Sequence, residues 1–356
     1  MISATQMQAE VIYKISFPKP ETHYVHVEIE IDKPAGTFAD FIMPVWTPGS
    51  YKVREFSKNV EQFEGSAEGN ILSTQKTNKY TWRVNFKKGI KKITVSYKVY
   101  SFEMGVRTSY IDQFQAFLHG VSIFMYAEGY ASKPCKIVFA KPASWAKITV
   151  ALPESAENTF TAENYDLLAD SPFALGNHDL FDFKVAGINH RVAMLGEGNY
   201  DKTKIISDFT KIIEKEVSLF GDHPSPEYVI FIQNVEAGGG GLEHLNSQTS
   251  VIQRWAYSNE AKYKSFLGLI AHEYFHLWNV KRIRPIELGP FDYTKENYTK
   301  MLWQVEGITS YYDDLFLKRC LQKQIVTGAL VRIVVLQQPS SLTKEHNLYL
   351  RYLDFH

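Results

Sequence analysis

The chain has 356 residues, 45% of them hydrophobic and 22% charged, with 39 basic side chains against 39 acidic ones. That length is more than one ordinary core requires and suits two domains. A formal net charge of zero offers no basic field to draw nucleic acid or anionic lipid, so neither is expected as a partner.

At the N terminus, residues 1–17 lack the basic start and long apolar run of a secretory signal. No apolar stretch reaches the roughly 20 residues a membrane helix needs, and the cytoplasm is the expected compartment. Val25, Val27, Ile29 and Ile31 alternate with polar residues, the period of a strand with one buried face. Tyr80, Trp82, Val84 and Phe86 repeat the pattern, as do Ile93, Val95, Tyr97 and Val99, and shorter β-rich runs follow at Ile137–Phe139 and Ile148–Leu152. Short strands with Pro, Gly and Asn between them suggest a sandwich. Cys135 and Cys320, far apart, read as two unrelated buried thiols. Near residue 200 the period changes: Ile205, Phe209, Ile212, Ile213 and Val217 fall at helical spacing, and an apolar strand, Tyr228–Ile232, follows. From about Glu260 a helix is expected up to His272, with Pro285 and Pro290 closing the segment. A second helical stretch carries Tyr298, Leu302, Val305, Tyr312 and Leu315.

His272-Glu273-Tyr274-Phe275-His276 has the form HExxH. Four residues apart on a helix, two imidazoles share a face and can converge on one cation. The intervening carboxylate stands beside the metal, where it can deprotonate a bound water. The plainer alternative is two partly buried histidines and a solvated glutamate. A catalytic zinc site wants three protein ligands and an open position. Glu306, between Val305 and Gly307 on the second helical stretch, is the leading third ligand.

Upstream, Gly238–Gly241 runs straight into Leu242-Glu243-His244. No Gly-Lys-Ser/Thr follows, which argues against a phosphate loop; a flexible linker is the plain alternative. The functional reading is an edge strand whose bare backbone, at Gly240 and Gly241, lets a peptide approach and pair. Glu243 could then fix a charged amine.

HEYFHLWNVKRIRP, WQVEGITSYYDD, GGGGLEHLNS and MPVWTPGSYKVREF, in these positions, together resemble the glycyl aminopeptidase family of zinc metallopeptidases over roughly residues 20–320. The resemblance implies an α+β chain: an N-terminal antiparallel β-sandwich-like domain (1–188), then a thermolysin-like metallopeptidase domain (189–356), divergent or truncated after about residue 320 and without the family's PDZ-like domain. It implies one Zn2+ per chain held by His272, His276 and Glu306, with Glu273 as catalytic base, and removal of N-terminal glycine or other small residues from a peptide substrate. By analogy with related aminopeptidases it assigns the substrate's amine to Glu243. The stretch from Trp46 to Tyr51 is expected to be a structural turn. Tyr311 and Tyr312 are candidates to steady the oxyanion, with core roles as the alternative. Asn279, Asp313 and Asp314 are candidates to support the histidines, with surface or capping roles as the alternative. The tail 331–356 does not resemble the family's continuation. Two competing functions stand beside the aminopeptidase: a metalloendopeptidase, and a catalytically impaired homologue that acts as a binding protein.

Overall fold

The structure, a computed structural model, describes residues 11–320. The readings made of residues 1–10 and of the tail 331–356 therefore lie outside the described residues. The described part is α+β and contains three sheets.

The alternating segments found in the first half pair with one another. Tyr24–Asp32 lies antiparallel to Lys92–Tyr100, from Tyr24 opposite Tyr100 to Asp32 opposite Lys92. This register puts Val25, Val27, Ile29 and Ile31 on the same buried face as Ile93, Val95, Tyr97 and Val99. The two strands belong to an eleven-stranded sheet. It is not antiparallel throughout, because Val11–Ser16 runs parallel to Cys135–Ala140; more than a hundred residues separate the two, so no hairpin dictates their direction. A four-stranded sheet, built from Lys147–Thr149, Phe173–Gly176, Gln115–Leu118 and Tyr110–Ile111, covers it. Ala116 and Leu118 face the large β core, whereas Phe117 between them faces the other way and meets Phe231 of the third sheet. Strand alternation thus lets one thin sheet seal two cores.

The third sheet has five strands in the order Asp179–Val185, Ile188–Leu195, Glu227–Val235, Ser247–Gln253, Gly240–Glu243. Its three inner strands are parallel and its two edges antiparallel. Helix Lys202–Phe220 makes the crossover between two parallel neighbours, capped by the Asp201 carboxylate, which accepts from the backbone N–H of Thr203 and Lys204. Gly221, at φ 89°, ends it. The motif helix, Glu260–Phe275, starts at Asn259, whose side chain accepts from Lys262 N–H at 3.0 Å. It buries Tyr263, Phe266, Leu267, Ile270, Ala271 and Tyr274 against the sheet and the crossover helix.

Two boundaries differ from expectation. Regular helix stops at Phe275, well before Pro285, and the chain continues as tight turns such as Ile283 N–H to Trp278 O at 2.7 Å. The second helical stretch begins later than its periodicity suggests. Tyr298 lies in a loop and is 70% exposed, because Asp292 and Asn297 bond to nearby backbone and hold a turn there. Cys135 and Cys320 are both free thiols; Cys135 is buried and Cys320 half-buried.

Candidate metal centre

On the motif helix His272 and His276 bring their Nε2 atoms to 3.2 Å of each other. Their Nδ1 atoms point outward to acceptors. His272 Nδ1 donates to Asp313 Oδ2 at 2.8 Å, and His276 Nδ1 donates to the Asn279 carbonyl at 2.6 Å. With both protons committed to Nδ1, the Nε2 lone pairs face one another across the same space. Asp313 supplies the support, not its neighbour Asp314.

Glu306 reaches that space on a turn of π-helix, Trp303–Gly307, closed by the bond from Ile308 N–H to Trp303 O. The wide turn leaves the carbonyls of Gln304 and Val305 to the Asn279 side chain, whose Nδ2 donates to both at 3.0 and 3.2 Å and also meets Thr309 Oγ1 at 3.1 Å. Asn279 therefore supports the two halves of the site differently, His276 through its carbonyl and the Glu306 turn through its side chain. Glu306 Oε2 lies 3.2 Å from His272 Nε2 and 3.6 Å from His276 Nε2. A tetrahedral zinc with ligands at 2.0–2.1 Å has ligand–ligand edges of about 3.3–3.4 Å. Two imidazole nitrogens and a carboxylate with such edges fit that ion in both geometry and donor type.

The electrostatics favour a cation at the same place. Burial alone would push the Glu306 carboxyl up, but its bonds to His272 and His276 hold it far below the usual carboxylate range. Burial likewise lowers the two imidazoles, yet both end above their ordinary value, His272 through Asp313 and Glu306, His276 through Glu243 and Glu306. Glu273 lies beside the triangle and is buried. Burial pushes it up, the two imidazoles pull it down, and Glu243 and Glu306 push it up again, leaving it at about 7. A carboxylate balanced there can both take and return a proton near neutrality.

The glycine run is an edge strand, as expected. Gly240–Glu243 pairs only with Ser247–Gln253 and forms the end of its sheet. Gly240 is exposed on that edge, in a conformation of φ 124° that suits glycine. Gly241 faces Glu273 so closely that a Cβ there would sit 2.1 Å from Oε1. Glu243 is buried, and its carboxylate shares a cluster with Glu273 and His276 whose candidate ligand atoms all lie within 4.8 Å of one another.

One expectation is overturned. The stretch from Trp46 to Tyr51 is a turn, but one docked into the site. Gly49, at φ 73°, lies on the amine-side glutamate: a Cβ there would be 3.1 Å from both Glu243 carboxylate oxygens and 2.5 Å from Leu242 Cδ1. The Tyr51 hydroxyl donates to Glu306 Oε1. Thr-Pro-Gly-Ser is turn chemistry anywhere in a protein, so its local sequence carries no sign of what the turn touches. The other two tyrosines stand elsewhere. Tyr312 stacks on Phe275 and Phe316, and Tyr311 is 58% exposed beside it.

Two family profiles match the chain: the Peptidase M61 N-terminal domain over residues 12–177, and M61 glycyl aminopeptidase over 265–332. A solved aminopeptidase N family protein from Idiomarina loihiensis is 34% identical and superposes with a TM-score of 0.83, across 87% of this chain and 55% of that one. The chain belongs to the M61 peptidase family. It spans little more than half the length of this relative. More distant likeness, at the level of fold, extends to an M1 zinc metallopeptidase from Deinococcus radiodurans (10% identity, TM-score 0.51, 89% of this chain and 72% of that one). It extends also to aminopeptidase A from Legionella pneumophila (10% identity, TM-score 0.56, 88% and 38%). No curated protein matches significantly. Among the described residues of this M61 chain, no helix is long and apolar enough to cross a membrane.

Besides Tyr51, reading the sequence of this M61 peptidase missed a second contact between distant parts of the chain. Asp170, which follows a short helix in the first half, accepts from Lys281 Nζ at 2.9 Å, from His244 Nδ1 at 3.2 Å and from Leu245 N–H at 2.8 Å. Burial opposes its ionisation, but Lys281 and His244 hold it at about 2. His244 is next to Glu243, and Lys281 follows the motif helix, so one carboxylate ties both to the β half. No local pattern marks Asp170.

Proposed function

We propose that this chain is a zinc-dependent aminopeptidase that removes N-terminal glycine or another small residue from peptides. The convergence of His272, His276 and Glu306 beside a buried Glu273, with a second carboxylate, Glu243, on the flanking edge strand, carries this reading. One zinc ion per chain, held by the first three, would supply a Lewis acid and a readily deprotonated water.

The chain's own residues do the rest. A peptide extends along the open Gly240–Glu243 edge, where the glycines let its backbone come close. Glu243 pairs with its α-ammonium, which places the first peptide bond next to Glu273. Glu273 takes the proton of the attacking water and returns it to the leaving amine as the C–N bond breaks. The preference for small residues has support in the Gly49 turn, which packs against Glu243 and Leu242 and leaves little room beside the amine.

An endopeptidase would share the zinc chemistry without needing the amine anchor. Glu243→Ala is expected to cut kcat/KM for a glycyl reporter by on the order of 10²-fold, as a buried charge pair is lost, while zinc content, measured by elemental analysis, stays at one per chain. Undiminished turnover in that variant would rule out the exopeptidase assignment. A wild-type chain that holds zinc and hydrolyses nothing would favour the binding-protein reading.

A further inference from the structure

Resting on that metallopeptidase reading, we propose that Tyr51 is a catalytic residue: its phenol donates a hydrogen bond to the oxyanion that forms at the scissile carbonyl. The geometry points to it in three ways.

First, the hydroxyl is already at the metal cradle, donating to Glu306 Oε1, while Glu306 Oε2 faces the two imidazoles. Among the described residues it is the one side-chain donor besides the histidines that reaches Glu306. Glu243, Glu273 and Glu306 as carboxylates are acceptors only. Charge that develops on a substrate oxygen here needs a donor, and these groups provide none.

Second, the turn that carries Tyr51 is held from several directions. Arg107 donates to the Gly49 carbonyl through Nη2 at 2.7 Å and Nε at 3.2 Å. Trp46 Nε1 donates to the Ser50 carbonyl at 2.8 Å, and Arg54 Nε donates to Ser50 Oγ at 2.9 Å. A donor fixed before the reaction needs no reorganisation when charge appears, which is what makes such groups effective. A turn with only a structural task would not need its aromatic side chain aimed at a carboxylate 255 residues away.

Third, the phenol keeps its proton. Burial and the Glu306 carboxylate both push its ionisation far above the usual tyrosine range, so it acts as a donor throughout. As the attacking oxygen bonds to the carbonyl carbon, the π pair moves onto the carbonyl oxygen. Rotation about the Cζ–O bond turns the Tyr51 O–H from Glu306 to that oxyanion. No proton leaves the phenol. When the carbonyl re-forms, the C–N bond breaks and Glu273 protonates the leaving amine, and the phenol returns to Glu306.

The competing role is that Tyr51 only steadies Glu306 as a ligand. Tyr51→Phe separates the two, since it removes the hydroxyl and keeps the ring. Three quantities are measured on wild type and variant, with thermal unfolding to confirm the fold. They are zinc affinity by competition with a chelator, affinity of the zinc-loaded protein for a glycyl phosphinic dipeptide that mimics the tetrahedral state, and affinity for free glycine. In the variant, phosphinate affinity is expected to fall by about tenfold or more and kcat by on the order of 10²-fold, with zinc and glycine affinities and KM little changed. Phosphinate affinity equal to wild type, or a loss that merely follows weakened zinc binding, would overturn the catalytic role and leave the zinc site standing. Failure of the wild-type chain to bind zinc would remove the metallopeptidase reading itself, and Tyr51's role with it.

Discussion

Glu216 has no solvent exposure, and among the described residues neither of its carboxyl oxygens has a hydrogen-bond partner. It lies on the crossover helix, behind the metal site. Burial, and then the nearby Asp313 carboxylate, push its ionisation well above the usual range, against a smaller pull from His272. The consequence for stability has a definite sign. Between the unfolded value of about 4.3 and the raised folded value, the native state holds a proton that the unfolded state has released, so stability falls as pH rises. Each unit of displacement costs about 1.4 kcal/mol once the pH exceeds both values. Glu216→Gln keeps the shape and removes the titration. Its melting temperature is expected to exceed that of wild type near pH 8 and to converge with it near pH 4, close to the unfolded carboxyl's own value. Melting curves that shift in parallel over that range would show that Glu216 does not ionise differently on folding.

Among the elements, the motif helix was readable because its signal is local. Asn259 caps it, apolar residues recur at helical spacing, and HExxH fixes which face carries the histidines. The turn that delivers Glu306 was not. A single π-turn differs from an α-turn by one residue per hydrogen bond, and WQVEG has no composition that demands it. What selects it is Asn279, reaching across from the far end of the motif segment to take the carbonyls of Gln304 and Val305. The spacing and the family resemblance pointed to Glu306 itself; its backbone geometry depends on a tertiary contact. Asn279→Ala should therefore loosen Glu306 without touching a ligand. Zinc affinity is expected to drop by about 10- to 100-fold, the range typical for groups that orient ligands, with circular dichroism unchanged. Retained zinc affinity in a competition titration would mean the turn holds without Asn279.

Across the whole molecule, the β half does more than precede the catalytic half. Its strands could be read from alternation because each pairing is repeated over many residues. Its functional contacts could not, because each rests on one side chain, Tyr51 on Glu306 or Asp170 on Lys281 and His244. Breaking the second should be costly, since Lys281 is buried and would be left without its carboxylate. Asp170→Ala is expected to destabilise the protein by about 3–5 kcal/mol, read as a lower midpoint in urea. A change below about 1 kcal/mol, the worth of an exposed ion pair, would show that the pair is hydrated.

The bond between Tyr51 and Glu306 also bears on when the molecule could become a hydrolase. Its two ends are 255 residues apart, and the glutamates at 243 and 273 fall between them in the chain. During synthesis the turn around Tyr51 emerges long before any of its partners exists. A growing polypeptide can thus hold none of the assembled chemistry until nearly all of the described residues have been made and packed, which guards neighbouring nascent chains from premature cleavage.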